Sequence, residues 1–183
     1  MELTKNFINT SKLIKSAIFV LIGSALLAIS SKIQTPFTLV PATMQTFVVM
    51  FLGIILGYKL ATLSVILYLI EGSFGLPVFA KGGGVGYLLG PTGGYIIGFV
   101  FTAFFTGHID RSKDPIVVFL YLLFSVSIIY LIGLGGLWNY MGLDKNFDEI
   151  FLIGAKPFLL IEIYKILILT VLSRQLFKFR KFI

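Results

Sequence analysis

The chain has 183 residues, of which 57% are apolar and only 13% charged. Counting Gly in place of Tyr raises the apolar share to about 63%, against 45–50% in soluble domains, more than a water-soluble domain of this size can bury, and the 19 Phe exclude a disordered chain. The absence of Cys excludes disulfides, thiolate metal sites and a cysteine nucleophile, and the net charge of +7 falls between apolar runs, where it orients a membrane protein rather than binding nucleic acid.

At about 20 apolar residues per spanning helix, six spans take up roughly 120 residues. The composition therefore predicts an all-α, polytopic integral membrane protein, with residues 1–183 forming one transmembrane domain. The first span covers about 13–31. Lys5, Lys12 and Lys15 before the apolar core 17–29 also fit a secretory signal peptide, but the later spans favour a retained helix. Within it, Gly23, Ser24, Ala25 and Ala28 cluster, and Ser24 and Ala28 form a small-xxx-small pair. Such a pair packs either inside the protein or against a partner's helix.

Residues 32–42 form a loop stiffened by Pro36 and Pro41, with Phe37 between them. The second span, 43–56, opens with Gln45, a candidate buried amide. Gly57-Tyr58-Lys59 then turns the chain into the third span, 60–70. The stretch 71–94 is Gly-rich, with seven glycines in the thirteen residues from Gly82 to Gly94, too many for a comfortable helix. It is not a P-loop, because no Gly-Lys-Ser/Thr is present, and Leu89 stands where G-x-G-x-x-G needs its last glycine. Two readings stay open: a flexible outer loop, or a compact one whose bare backbone closes on a ligand.

The fourth and fifth spans cover 93–106 and 115–137, separated by a polar loop holding the lone His108. A polar stretch, 138–156, precedes the sixth span, 157–172. That span carries Glu162 and Lys165, whose i, i+3 spacing puts them on one helix face. Counting from Pro157, they lie roughly 7–8 Å and 12 Å along the helix. An ionisable group costs about 2.5–3.5 kcal/mol at mid-span. The pair is either self-neutralising or a polar anchor, with Lys165 the cation for an anionic group and Glu162 the acceptor for N–H donors.

Charge sets the topology. With the N-terminus in the cytoplasm, ten Lys and Arg fall inside, including Lys59, Arg111, Lys113, Arg180 and Lys181. Four fall outside: Lys32, Lys81, Lys145 and Lys156. Both termini are then cytoplasmic, and the long Gly-, Pro- and aromatic-rich loops face outward, where a ligand would arrive.

Three blocks resemble a known family. Val40-Pro41-Ala42-Thr43-Met44-Gln45-Thr46-Phe47 is similar to the entry to the second helix of the BioY biotin transporter proteins. Gly75-Leu76-Pro77-Val78-Phe79-Ala80 and Leu89-Gly90-Pro91-Thr92-Gly93-Gly94-Tyr95 resemble their central signature, and Pro157-Phe158 with Glu162 and Lys165 resembles their last-helix motif. The resemblance covers all six spans in order. It implies the substrate-binding S component of an energy-coupling factor (ECF) transporter in the cell membrane. Its partners would be biotin, a transmembrane coupling protein and two cytoplasmic ATPases, with no cofactor or metal of its own.

The resemblance also assigns residues. Glu162 and Lys165 would contact biotin, with Gln45, Phe37, Phe79, Gly83, Gly84, Tyr87, Gly90, Thr92 and Tyr95 as further pocket candidates. Gly23, Ser24 and Ala28 would dock the coupling protein. Two positions depart from the family's usual pattern: Glu162 stands for its Asp, and Leu160-Ile161 for its Pro-Gly. The competing readings are an S component for another vitamin and a stand-alone small permease. An intramembrane enzyme lacks its chemistry here, with one loop His and no H-E-x-x-H.

Overall fold

The computed structural model describes residues 2–35, 39–110 and 114–180, with the backbone alone for 2–9. Phe37, Arg111, Lys113 and Lys181 lie outside the described residues. The described chain is all-helical: α1 (Glu2–Ser31), α2 (Gln45–Ser73), α3 (Val85–Leu88), α4 (Gly93–Thr106), α5 (Pro115–Met141), α6 (Phe147–Gly154) and α7 (Leu159–Phe179). Among these, three segments are long and apolar enough to cross a membrane: Thr10–Ser31, Gln45–Ser73 and Pro115–Met141.

α2 is not one rod. Gly57 has φ 77° and ψ 171°, a conformation essentially reserved for glycine, and splits the helix into arms 45–56 and 58–73. The arms fold back on each other. Gln45 Nε2 donates to Tyr68 Oη at 2.6 Å, although 23 residues of straight helix would hold them roughly 34 Å apart. The expected turn at Gly57-Tyr58-Lys59 is therefore present, tightened to a single residue. Arg180 braces it from the C-terminal end of the chain, donating to the carbonyls of Gly107 (2.6 Å) and Ile109 (3.3 Å).

Of the other expected spans, 93–106 coincides with α4. α5 starts where expected, because Asp114 caps it by accepting from the Ile116 N–H at 2.9 Å and Pro115 suits the first turn. It runs on to Met141, four residues past the expected end. α7 starts two residues later than the expected span and ends seven residues beyond it. The stretch 138–156 is not a simple loop. It holds α6, which has Asp148 and Glu149 in its first turn, where they complement the helix dipole. α4 and α5 pack through Gly94 and Gly136. A methyl on Gly94 would lie 2.6 Å from the Ile132 carbonyl, so two small residues set how closely these backbones approach.

α7 buries one stripe, Glu162, Lys165, Ile166, Leu169, Thr170, Ser173 and Phe177, at helical spacing. Leu160, Tyr164, Ile168 and Val171 form its exposed face. The core follows from these stripes. One buried cluster joins Leu27, Val49, Tyr68, Phe79, Tyr95 and Ile129, and a second joins Met50, Ile54, Leu122, Ile166 and Leu169.

Candidate functional site

The start of α2, the loops before α2 and between α2 and α4, α4, α5 and the first turn of α7 converge on one cavity. Its walls include Thr43, Gln45, Thr46, Tyr87, Thr92, Tyr95, Tyr130, Phe158 and Glu162. About 50 Å³ of it is open to water-sized occupants, enough for a few waters.

The polar floor is built around the α7 pair. Glu162 and Lys165 are 5% and 4% exposed, and Lys165 Nζ lies 2.8 Å from Glu162 Oε1. Lys165 Nζ also donates to the Thr43 carbonyl at 2.7 Å and to Thr46 Oγ1 at 2.8 Å. An ammonium has three N–H donors, so all three are spent within the protein. Thr46 Oγ1 in turn donates to Glu162 Oε1 at 2.9 Å. The other carboxylate oxygen, Glu162 Oε2, is buried and has no hydrogen-bond partner among the described residues. A buried charged oxygen left unpaired is costly, and this one belongs to a residue on the cavity wall. It can take one or two N–H donors from an occupant.

Thr43, Gln45 and Thr46 reach the floor because the chain before α2 is fixed. Gln34 bridges to Thr43, the Thr35 N–H donates to the Ala42 carbonyl at 2.9 Å, and the Met44 N–H donates to the Ile33 carbonyl at 3.0 Å. Thr43 Oγ1 donates to Gln45 Oε1 at 3.1 Å, which orients the amide toward Tyr68. The aromatic wall is fixed as well. Tyr95 donates its hydroxyl to the Gly154 carbonyl at 2.9 Å and meets Tyr130 edge-on, with ring centroids 6.2 Å apart.

The loop between α2 and α3 is clipped to the end of α1. Ser31 Oγ donates to the Val78 carbonyl at 2.7 Å. Lys32 Nζ donates to the carbonyls of Pro77 and Phe79 at 2.7 and 2.6 Å, and Gln34 Nε2 to that of Ala80 at 3.0 Å. The loop is thus compact rather than free. Tyr87 on α3 stacks on Phe79, centroids 5.1 Å apart, and so forms a wall of the cavity.

Of the candidate pocket residues, the structure gathers Gln45, Tyr87, Thr92, Tyr95 and Glu162 on the cavity wall. Lys165 stands behind Glu162. Phe79 is wholly buried beneath Tyr87, and Gly83 packs its backbone against Leu76. Gly84 precedes α3 and donates its N–H to the Gly72 carbonyl at 2.7 Å. Gly90 lines a separate hollow. Phe37 lies outside the described residues. Thr43, Thr46, Tyr130 and Phe158 join the site without having been candidates. The Thr-x-x-Thr spacing of Thr43 and Thr46 ahead of an apolar run was the available signal for two of them.

The residues expected to dock a partner pack within the chain as follows. Gly23 and Ser24 are buried against the second arm of α2: Gly23 abuts Ser64, and Ser24 Oγ donates to Glu71. Ala28 is half-buried beside the same core. These small residues form a seam inside the chain. Ile18, Leu21, Ile22 and Ile29 make up the outward face of α1.

Comparison with known proteins agrees over nearly the whole chain. The sequence model of the BioY family matches residues 3–182. A probable biotin transporter BioY of Pyrococcus horikoshii is 37% identical over 153 residues, covering 83% of this chain and 90% of that one. The biotin transporter BioY of Thermotoga maritima is 34% identical over 169 residues, covering 91% and 96%. The crystal structure of the S component for biotin from an ECF-type ABC transporter superposes with a TM-score of 0.75 at 26% identity, covering 92% of this chain and 93% of that one.

Proposed function

Since the chain belongs to the BioY family, we propose that it is the biotin-binding S component of an ECF-type transporter, capturing biotin from outside for delivery inward. The observation that carries this reading is the unpaired, buried Oε2 of Glu162 on the wall of an otherwise mostly aromatic and apolar cavity. Biotin offers a matching pair of surfaces: ureido N–H donors for the carboxylate, and an apolar bicycle for Tyr87, Tyr95, Tyr130 and Phe158. Glu162 accepts from the ureido ring in this reading, and Gln45, Thr92 and the glycines of the outer loop shape the surroundings.

The two arms of α2 count as two crossings, and α1, α4, α5 and α7 complete six, with both termini cytoplasmic. Support comes from the fold-back at Gly57 beside Lys59, and from the ten-to-four bias of cations. The protein then resides in the prokaryotic cell membrane as a multi-pass subunit. A transmembrane coupling protein and two cytoplasmic ATPases supply the energy, and this chain hydrolyses nothing.

The test is the mass of the ligand retained through purification from cells grown with mixed vitamins. Biotin is expected. Retention of thiamine or riboflavin would replace the reading with an S component for that vitamin. Affinity capture should also bring down an ATPase pair, whereas a stand-alone permease would come alone.

A further inference from the structure

The turn at Gly57 borders a hollow of about 370 Å³, whose walls include Ser16 on α1 and Tyr58, Lys59, Leu60 and Arg180. A second hollow, of about 340 Å³, runs between α1 and the second arm of α2. Ser16 and Leu60 are walls of both, so the two meet there and form one groove. Past Ser16 the lining of the second hollow is apolar and includes Val20, Leu63, Ile66 and Ile70. Leu63 and Ile70 are 49% and 47% exposed, so the groove faces out of the chain.

The two ends of this groove differ in chemistry. At the turn, Lys59 is exposed with its Nζ 5.8 Å from the Tyr58 ring centroid, and an exposed Tyr suits headgroup depth. Arg180 is the other charged wall, held to the carbonyls of Gly107 and Ile109. No acidic side chain is among the described residues lining either hollow. From Leu60 to Ile70 the helix rises about 15 Å, half of the ~30 Å hydrocarbon core of a bilayer. The apolar part is therefore one leaflet deep. Spread over that length, 340 Å³ makes a slot roughly 5 Å wide, room for one hydrocarbon chain but not for a helix of about 10–12 Å.

We propose that this groove seats one anionic phospholipid of the leaflet on the Lys59 side. Its phosphate meets Lys59 at the turn, and one acyl chain lies along Val20, Leu63 and Ile66. The site does not depend on which vitamin the cavity holds.

The experiment titrates the purified full chain in detergent with phosphatidylglycerol, with phosphatidylcholine of the same acyl chains, and with glycerol 3-phosphate. Apparent affinity is read from the rise in melting temperature. Phosphatidylglycerol should bind about fivefold more tightly than phosphatidylcholine, the effect of one lysine beside an anionic headgroup, and less so at high salt. Lys59→Gln should remove that preference by weakening phosphatidylglycerol alone. Leu63→Trp fills the slot from a half-exposed position and should weaken both lipids by the same factor. Without lipid, both variants should melt as the unmutated chain does, because neither position belongs to the buried core.

Equal affinity for the two lipids, a preference that survives Lys59→Gln, or unchanged lipid affinity in Leu63→Trp would each overturn the proposal. Stabilisation by glycerol 3-phosphate alone would overturn it in favour of a free-phosphate site. Leu63→Trp that spares lipid affinity but loses captured partner subunits would make the groove a partner's seat instead.

Discussion

Lys165 Nζ and Glu162 Oε1 lie 2.8 Å apart, one turn apart on α7, and their contact leaves Glu162 Oε2 as the unspent acceptor of the pair. The lysine neutralises the carboxylate through one oxygen, while the other, buried on a residue of the cavity wall, has no hydrogen-bond partner among the described residues. Replacing that oxygen by an amide turns an acceptor into a donor or forces the side chain to flip. Glu162→Gln is therefore expected to weaken biotin about ten- to hundredfold, the cost of one charge-assisted hydrogen bond. Glu162→Asp keeps the acceptor and should bind much closer to the unmutated protein. Titration calorimetry on both variants checks this; equal losses would mean that reach, not charge, decides.

The same pair predicts a stability pattern. Lys165→Met leaves Glu162 buried without its counter-ion, which costs about 3–5 kcal/mol in comparable sites. Adding Glu162→Gln removes the stranded charge, so the double variant should recover much of the lost thermal stability while still failing to bind. A melting series in detergent, read as a double-mutant cycle, measures the coupling. Additive losses would show that the two groups act independently.

Much of this architecture was legible in the residues, and where it was not, the reason is distance along the chain. Glu162 and Lys165 share a face because of their local spacing, and α5 starts at Pro115 because Asp114 caps it; both can be read within one helical turn. The 93–106 helix is framed by its own glycines and polar ends. The partners of Lys165 are different: Thr43 and Thr46 lie 122 and 119 residues away. No local pattern shows that these two would consume its donors. Likewise, the small-residue spacing of Ser24 and Ala28 marks a close-packing face but not its neighbour, and Glu71, 47 residues on, turns out to cover it. α6 was missed because its eight residues sit within a stretch whose polar ends read as loop.

The two arms of α2 are joined by the hydrogen bond between Gln45 and Tyr68, whose hydroxyl also donates to the Val78 carbonyl at 3.2 Å. One hydroxyl thus ties the two arms to the loop between α2 and α3. Tyr68→Phe keeps the packed ring against Phe79 but strands the buried Gln45 amide N–H, at roughly 1–3 kcal/mol, while the Val78 carbonyl keeps its bond from Ser31. The melting temperature should fall, and the Ala80–Tyr87 wall should become more accessible to hydrogen exchange. Unchanged protection of that loop would show that the Lys32 and Gln34 clips alone suffice.

At the opposite end, Gly57 holds a backbone conformation that costs any other residue about 1–3 kcal/mol, and its missing side chain makes room for the Arg180 guanidinium. Gly57→Ala should therefore lower stability by at least that amount, because the methyl also displaces Arg180 from the carbonyls of Gly107 and Ile109. Arg180→Ala alone should lower it less, since the turn itself remains unstrained. Thermal melts of both variants decide the order; a larger loss from Arg180→Ala would make the brace, not the glycine, the main support of the turn.

Ser24 separates internal packing from partner docking. Ser24 is fully buried and its hydroxyl donates to the half-buried Glu71, and the neighbouring Gly23 has Ser64 against it. A leucine at position 24 has no room there and leaves Glu71 without its donor, so overpacking and a stranded carboxylate act together. Ser24→Leu is expected to lower thermal stability, biotin binding and uptake together. A docking residue would behave otherwise, losing uptake while binding stayed intact. Ile22→Asn, on the exposed face of α1, changes no internal contact of that seam and serves as the contrast. If Ser24→Leu spared binding and blocked only uptake, the seam would have to open during transport, and the small residues of α1 would serve as the docking face.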